Sequence, residues 1–82
     1  MSFYIEVYYA SPKDIDREKR ISKIASDVGG QLTFWDKSAS DASRAICLTY
    51  EFANLSAATK AADRMRNIGE HVEGPADYGG PE

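Results

Sequence analysis

Cysteine is nearly missing from this chain: Cys47 stands alone among 82 residues. No intrachain disulfide can form, and the cysteine density with which small secreted domains make up for thin cores is not there. A reducing, cytoplasmic compartment follows as the expectation. Long apolar runs are missing as well. Nothing approaches the ~20 residues that span a bilayer, and the N-terminal MSFYIEVYYASPKD has no basic region ahead of its apolar stretch. A soluble intracellular protein with no membrane partner is expected. Excess positive charge is the third absence. The formal charge is −3, and residues 70–82 hold Glu70, Glu73, Asp77 and Glu82 with no Lys or Arg, leaving ten basic and nine acidic side chains in residues 1–69. The body is near neutral and the end acidic, so the long-range attraction on which nucleic-acid and anionic-membrane binding rely is not available.

What is present suffices for one small domain. A hydrophobic fraction of 43%, with five Tyr, three Phe and one Trp, supports a real core. By size scaling a chain of this length buries roughly 60–65% of the surface it exposes when unfolded, so a partner or second copy would add to a modest stability.

The strongest pattern is Arg44–Phe52, RAICLTYEF, where Ile46, Leu48, Tyr50 and Phe52 alternate with Ala45, Cys47, Thr49 and Glu51. Period-two alternation is a strand, large and apolar on one face, small or polar on the other. Ser2–Ala10 alternates in the same way, with Phe3, Ile5, Val7 and Tyr9 on one side and Tyr4, Glu6 and Tyr8 on the other. Ser11-Pro12-Lys13-Asp14 then offers a capping serine, a first-turn proline and an acid, predicting a helix from here to about Val28, closed by Gly29-Gly30. Its buried stripe is Ile21, Ile24, Ala25 and Val28, with Ile15 off that stripe. Its charged face, including Asp16, Arg17 and Arg20, reads as solvated.

Gln31–Asp36 is the second strand, setting Leu32 and Phe34 against Gln31, Thr33 and Trp35, and Lys37–Ser43 is a polar surface connection. After the central strand, Asn54 or Ser56 caps a second helix with the stripe Leu55, Ala58, Ala61, Ala62, Met65 and Ile68, ended by Gly69. Its alanines allow close approach to a sheet. Glu70–Gly74 is a short edge strand that Pro75 ends, and residues 75–82 form a flexible acidic tail beside a domain of residues 1–74.

Strand, helix, strand, strand, helix, strand in about 75 residues is an α+β order. It is the ferredoxin-like split unit, a four-stranded antiparallel sheet in the order 4-1-3-2 with both helices on one face. Such an architecture hosts many unrelated functions.

The face without helices then carries Tyr4, Glu6 and Tyr8 from the first strand, Thr33 and Trp35 from the second, and Cys47 and Thr49 from the third. If Val72 points inward, His71 and Glu73 join them. Large aromatics on the solvent side of a small sheet mark an interface. The leading expectation is a non-enzymatic protein-interaction module that self-associates through this face. A small-molecule-binding regulatory domain, closed by the 37–43 connection, is the alternative, and single-stranded RNA comes third.

The RNA-recognition motif shares this topology and stacks bases on this face. AATKAADRM, residues 57–65, looks like the alanine-rich second helix of such domains, and Arg44 matches their basic residue. The positions that should be aromatic are Ile46, Leu48 and Glu51, the expected glycine is Ala45, and no basic rim exists for phosphates. Glu6, His71 and Glu73 could be drawn around a metal, but a closed site needs more ligands, so no metal or cofactor is expected. Cys47 has no base in reach, because the only histidine sits on an edge strand beyond the first strand, which argues against nucleophilic catalysis.

Overall fold

The computed structural model describes residues 2–10, 12–35 and 45–77, apart from the side chains of Phe34, Trp35 and Asp77. Six elements follow one another: β1 (Phe3–Ala10), α1 (Ile15–Asp27), β2 (Gln31–Trp35), β3 (Ala45–Phe52), α2 (Leu55–Asn67) and β4 (His71–Asp77). The strands form one antiparallel sheet in the order β2-β3-β1-β4. Read from the other edge this is 4-1-3-2, consistent with the ferredoxin-like connectivity expected from the order of elements. The 37–43 connection and the end of the tail, residues 78–82, lie outside the described residues.

Alternation decides which side of the sheet is dry. Ile5, Val7, Tyr9, Ile46, Leu48, Tyr50 and Phe52 are buried and share one core with Ile21 and Ala25 of α1 and Ala58, Ala61, Ala62 and Met65 of α2. The three alanines are fully buried, so α2 packs on the sheet at the distance its small side chains permit. Leu55 and Ile68, expected at either end of that stripe, are instead about half exposed, as is Ile15. Terminal stripe residues overhang the sheet rather than lie on it.

Both helices end as their glycines require. Gly29 and Gly69 have φ of 85° and 95°, and the amides of Gly30 and Glu70 reach back to Ala25 O at 2.8 Å and Met65 O at 3.0 Å, a left-handed cap that satisfies the last carbonyls. Gly30 has a second role, since a Cβ there would fall 2.2 Å from the Phe52 ring.

Some local expectations are corrected. α1 starts at Ile15, capped by Asp14, whose carboxylate accepts from Arg17 N at 3.0 Å. The Asp14 amide is in turn held by the Tyr9 hydroxyl at 2.9 Å, so a tertiary contact moves the cap from Ser11 to Asp14. Asn54 caps α2 as expected, accepting from Ala57 N at 2.8 Å.

β4 does not stop at Pro75. It continues to Asp77 through a cis Gly74–Pro75 bond and pairs Tyr4 with Ala76 and Phe3 with Asp77, past an irregularity between Tyr4 and Glu6. Residues 75–77, expected in the flexible tail, are therefore part of the sheet. Proline is tolerated there because β4 is an edge strand whose missing donor removes no ladder bond. The outward carbonyls of Val72 and Gly74 accept from Arg66 Nη2 at 3.0 and 2.9 Å, which blunts that edge.

Arg17, expected on a solvated face, turns to the buried Glu70. Its Nε lies 3.1 and 2.9 Å from the two carboxylate oxygens, its Nη2 2.9 Å from Oε1, and its guanidinium sits 4.9 Å from the centre of the Tyr9 ring. The start of α1 is thereby tied to the chain leaving α2. Among the described residues no helix is long and apolar enough to cross a membrane.

Candidate functional site: the open face of the sheet

Antiparallel pairing sets side chains of directly opposed residues on the same face, so the register of β1 with its two neighbours lays out the face that no helix covers. Three ranks cross it: Cys47, Tyr8 and His71; Thr49, Glu6 and Glu73; Glu51, Tyr4 and Ala76. Val72 is buried while His71 and Glu73 are exposed, which puts the last two on the open side as the alternation required. Tyr4, Glu6, Tyr8, Cys47 and Thr49 are half-buried.

The phenols, the carboxylates and the imidazole of this face pair with one another. The Tyr8 hydroxyl donates to Glu6 Oε1 at 3.2 Å and the Tyr4 hydroxyl to Glu51 Oε2 at 3.3 Å. His71 Nε2 lies 2.7 Å from Glu73 Oε2, and its ring centre is 6.0 Å from that of Tyr8, the planes inclined by 59°. Loss of hydration raises the Tyr8 phenol well above the ordinary tyrosine range, with Cys47 and Glu6 adding to the shift. Loss of hydration followed by the Glu51 charge raises Tyr4. Both phenols are donors held neutral against carboxylates.

Tyr4, Glu6, Tyr8, His71 and Glu73, with Gly74 and Ala76, line a shallow groove of about 580 Å³ along the β1–β4 seam. Gly74, at φ 100°, is close enough to Tyr4 O that a Cβ would fall 2.8 Å from it. That proximity keeps the floor of the groove at backbone level.

No family model, no curated protein and no solved structure matches this chain. What the face does has to be read from its own side chains.

Five of the residues expected on the face, Tyr4, Glu6, Tyr8, Cys47 and Thr49, are brought together on β1 and β3, and His71 joins them from β4. β2 departs from expectation. Leu32 faces Tyr50, but the register then slips by one, so Phe34 stands opposite Thr49 and Trp35 opposite Leu48. Trp35 thus occupies a register position in the rank of the buried Leu48 and not in that of the open face. Its side chain lies outside the described residues. Thr33, at the bulge, is exposed and donates its hydroxyl to Thr49 O at 3.3 Å. A bulge adds a residue to one strand and reverses the alternation beyond it.

Glu51, Gly74 and Ala76 were not among the expected site residues. Glu51 had a signal, since it shares the parity of Cys47 and Thr49 in β3. Gly74 and Ala76 had none, because Pro75 obscured the continuation of β4. Among the described residues no group of three His, Cys, Asp or Glu side chains is placed to hold a metal ion. Tyr8 stands between Cys47 and His71 in its rank. The face offers ring surface and carboxylate oxygens, the two chemistries that recognise cations and amphipathic side chains.

Proposed function

We propose that this chain, a ferredoxin-like domain, is a non-enzymatic protein-interaction module whose contact surface is the open face of its sheet. One observation carries the reading: the helices bury one parity of every central strand, while Tyr4, Tyr8 and His71 on the opposite parity are covered by neither helix. Tyrosines are favoured as interface anchors because they present large rigid area with a polar tip at low entropic cost. Trp35 is not assigned an anchoring role.

A peptide array tests this. The parent chain should retain a subset of peptides that a Tyr4→Ser/Tyr8→Ser variant, checked for an unchanged circular dichroism spectrum, releases. Identical retention by both proteins would remove the proposal. Sedimentation velocity separates its two forms, since a parent dimer dissolved by the same substitutions makes a second copy the occupant, and a monomer leaves a different polypeptide. Reversible assembly in a reducing compartment suits a chain whose only thiol lies half-buried in this face.

A second reading has its own support in the groove, whose volume of about 580 Å³ lies in the range of small-molecule sites. Thermal-shift screening against small aromatic and amine compounds distinguishes it. A stabiliser whose effect vanishes on Tyr8→Ser, with no peptide retained, would favour that reading.

A further inference from the structure

None of the four strands contains a lysine or an arginine; every described one lies on the helices or the turn that enters α1. Among the described residues the carboxylates Glu6, Glu51 and Glu73 of the open face therefore meet no lysine or arginine there, and His71, 2.7 Å from Glu73, is the basic group among them. Two of these, Glu6 and Glu73, are directly opposed across the β1–β4 ladder, where like charges destabilise the pair. The unfavourable pair sits in the middle of the groove, with Tyr4 and Tyr8 flanking Glu6 at i−2 and i+2 on the same face. At the usual rise of a strand each ring begins ~7 Å from Glu6 along β1.

Resting on the contact-face reading above, we infer that the occupant of this face is an arginine-bearing segment of another polypeptide, with one guanidinium seated over Glu6 and Glu73 between the rings of Tyr4 and Tyr8. A cation there relieves the Glu6–Glu73 repulsion and lies within reach of ring faces. Glu6 already accepts from Tyr8 and keeps most of its lone pairs for a donor, and Glu73, which meets His71 through Oε2, keeps its second oxygen for one. Guanidinium suits the site better than ammonium because it donates in a plane to two carboxylates while stacking on tyrosine. A second copy of the same face is the poorer occupant, since two-fold stacking would bring Glu6, Glu51 and Glu73 against the same three, with each His71 already engaged by the Glu73 of its own strand.

The test uses the full chain and a labelled peptide of alternating glycine and arginine, against the same peptide with citrulline for arginine, followed by fluorescence anisotropy. Arginine should bind at least about tenfold tighter than citrulline, and Glu6→Gln and Glu73→Gln should each weaken it about tenfold, the usual effect of a charge-assisted hydrogen bond. Asp16→Asn, on exposed α1, makes the same change in net charge and should alter binding less than twofold. Without peptide, Glu6→Gln should raise the urea midpoint, because it removes the like-charge neighbour of Glu73 while the glutamine oxygen still accepts from Tyr8, and this second readout does not depend on any ligand. Equal binding of the citrulline peptide, or equal weakening by Asp16→Asn, would overturn the inference. A parent dimer dissolved by Tyr4→Ser/Tyr8→Ser, with no arginine preference, would overturn it while leaving the contact-face reading standing. An array on which parent and variant retain the same peptides would remove both.

Discussion

Replacing Arg17 with alanine should destabilise this protein far more than any other single change on the charged face of α1. Glu70 keeps only 4% of its side-chain surface exposed, whereas Arg17 keeps 32%. The guanidinium supplies the hydrogen bonds that make that burial tolerable, and Glu70 in turn holds Arg17 above its ordinary pKa. Removing one partner of a buried pair costs about 3–5 kcal/mol. Because water can follow into the space Arg17 leaves, we discount this to about 2–3 kcal/mol, including the lost contact with the Tyr9 ring. For a domain of this size that is a fall in Tm of roughly 10–20 °C.

Glu70→Gln should cost only about 1 kcal/mol, because glutamine still accepts from Arg17 and the partly exposed guanidinium can be hydrated. Arg17→Met/Glu70→Leu should recover most of the loss, since an apolar pair of similar volume leaves no buried charge. Urea unfolding of the four proteins decides the matter. An Arg17→Ala midpoint within about 0.5 kcal/mol of the parent, or a double variant no more stable than Arg17→Ala, would refute the reasoning.

Gly30→Ala should cost about 1–3 kcal/mol by forcing Cβ into the Phe52 ring, which sits 2.2 Å from that position; a urea midpoint unchanged from the parent would show that the ring yields freely. Alkaline pH should also unfold the chain. Every described tyrosine has its pKa raised, Tyr9 to about 12, mainly through burial. A raised folded pKa gives stability that is complete below the ordinary value of about 10 and is lost as pH climbs through 12. The urea midpoint should therefore fall between those values and tyrosinate absorbance should rise with unfolding, whereas a midpoint flat to pH 12 would contradict the burial argument.

Order of elements, alternation in β1 and β3, and the alanine stripe of α2 were legible because each depends on local periodicity. What escaped depends on contacts between distant segments. Arg17 and Glu70 are separated by 53 residues, and within a mixed-sign run nothing marks one arginine as the one that turns inward. The start of α1 was misplaced because the Tyr9 hydroxyl secures the Asp14 amide, a choice between two competent caps made by β1. The bulge in β2 shifted Trp35 against β3 because register belongs to a pair of strands, and Gln31–Trp35 alternates acceptably in either register. β4 ran on past Pro75 because an edge strand tolerates a missing donor on its outer side. On the open face Tyr4, Glu6 and Tyr8 were readable from β1 alone, while Gly74 and Ala76 depended on that extension. The opposition of Glu6 to Glu73 depended on pairing that no single strand encodes.

Backbone amide shift mapping of the isotopically labelled chain, titrated with the alternating glycine–arginine peptide, tests the open face most directly. Shifts should concentrate at Tyr4, Glu6, Tyr8, Thr49, His71 and Glu73, leaving the outer turns of α1 and α2 unmoved. Shifts centred on the helices, or none at peptide excess, would contradict the assignment of this surface.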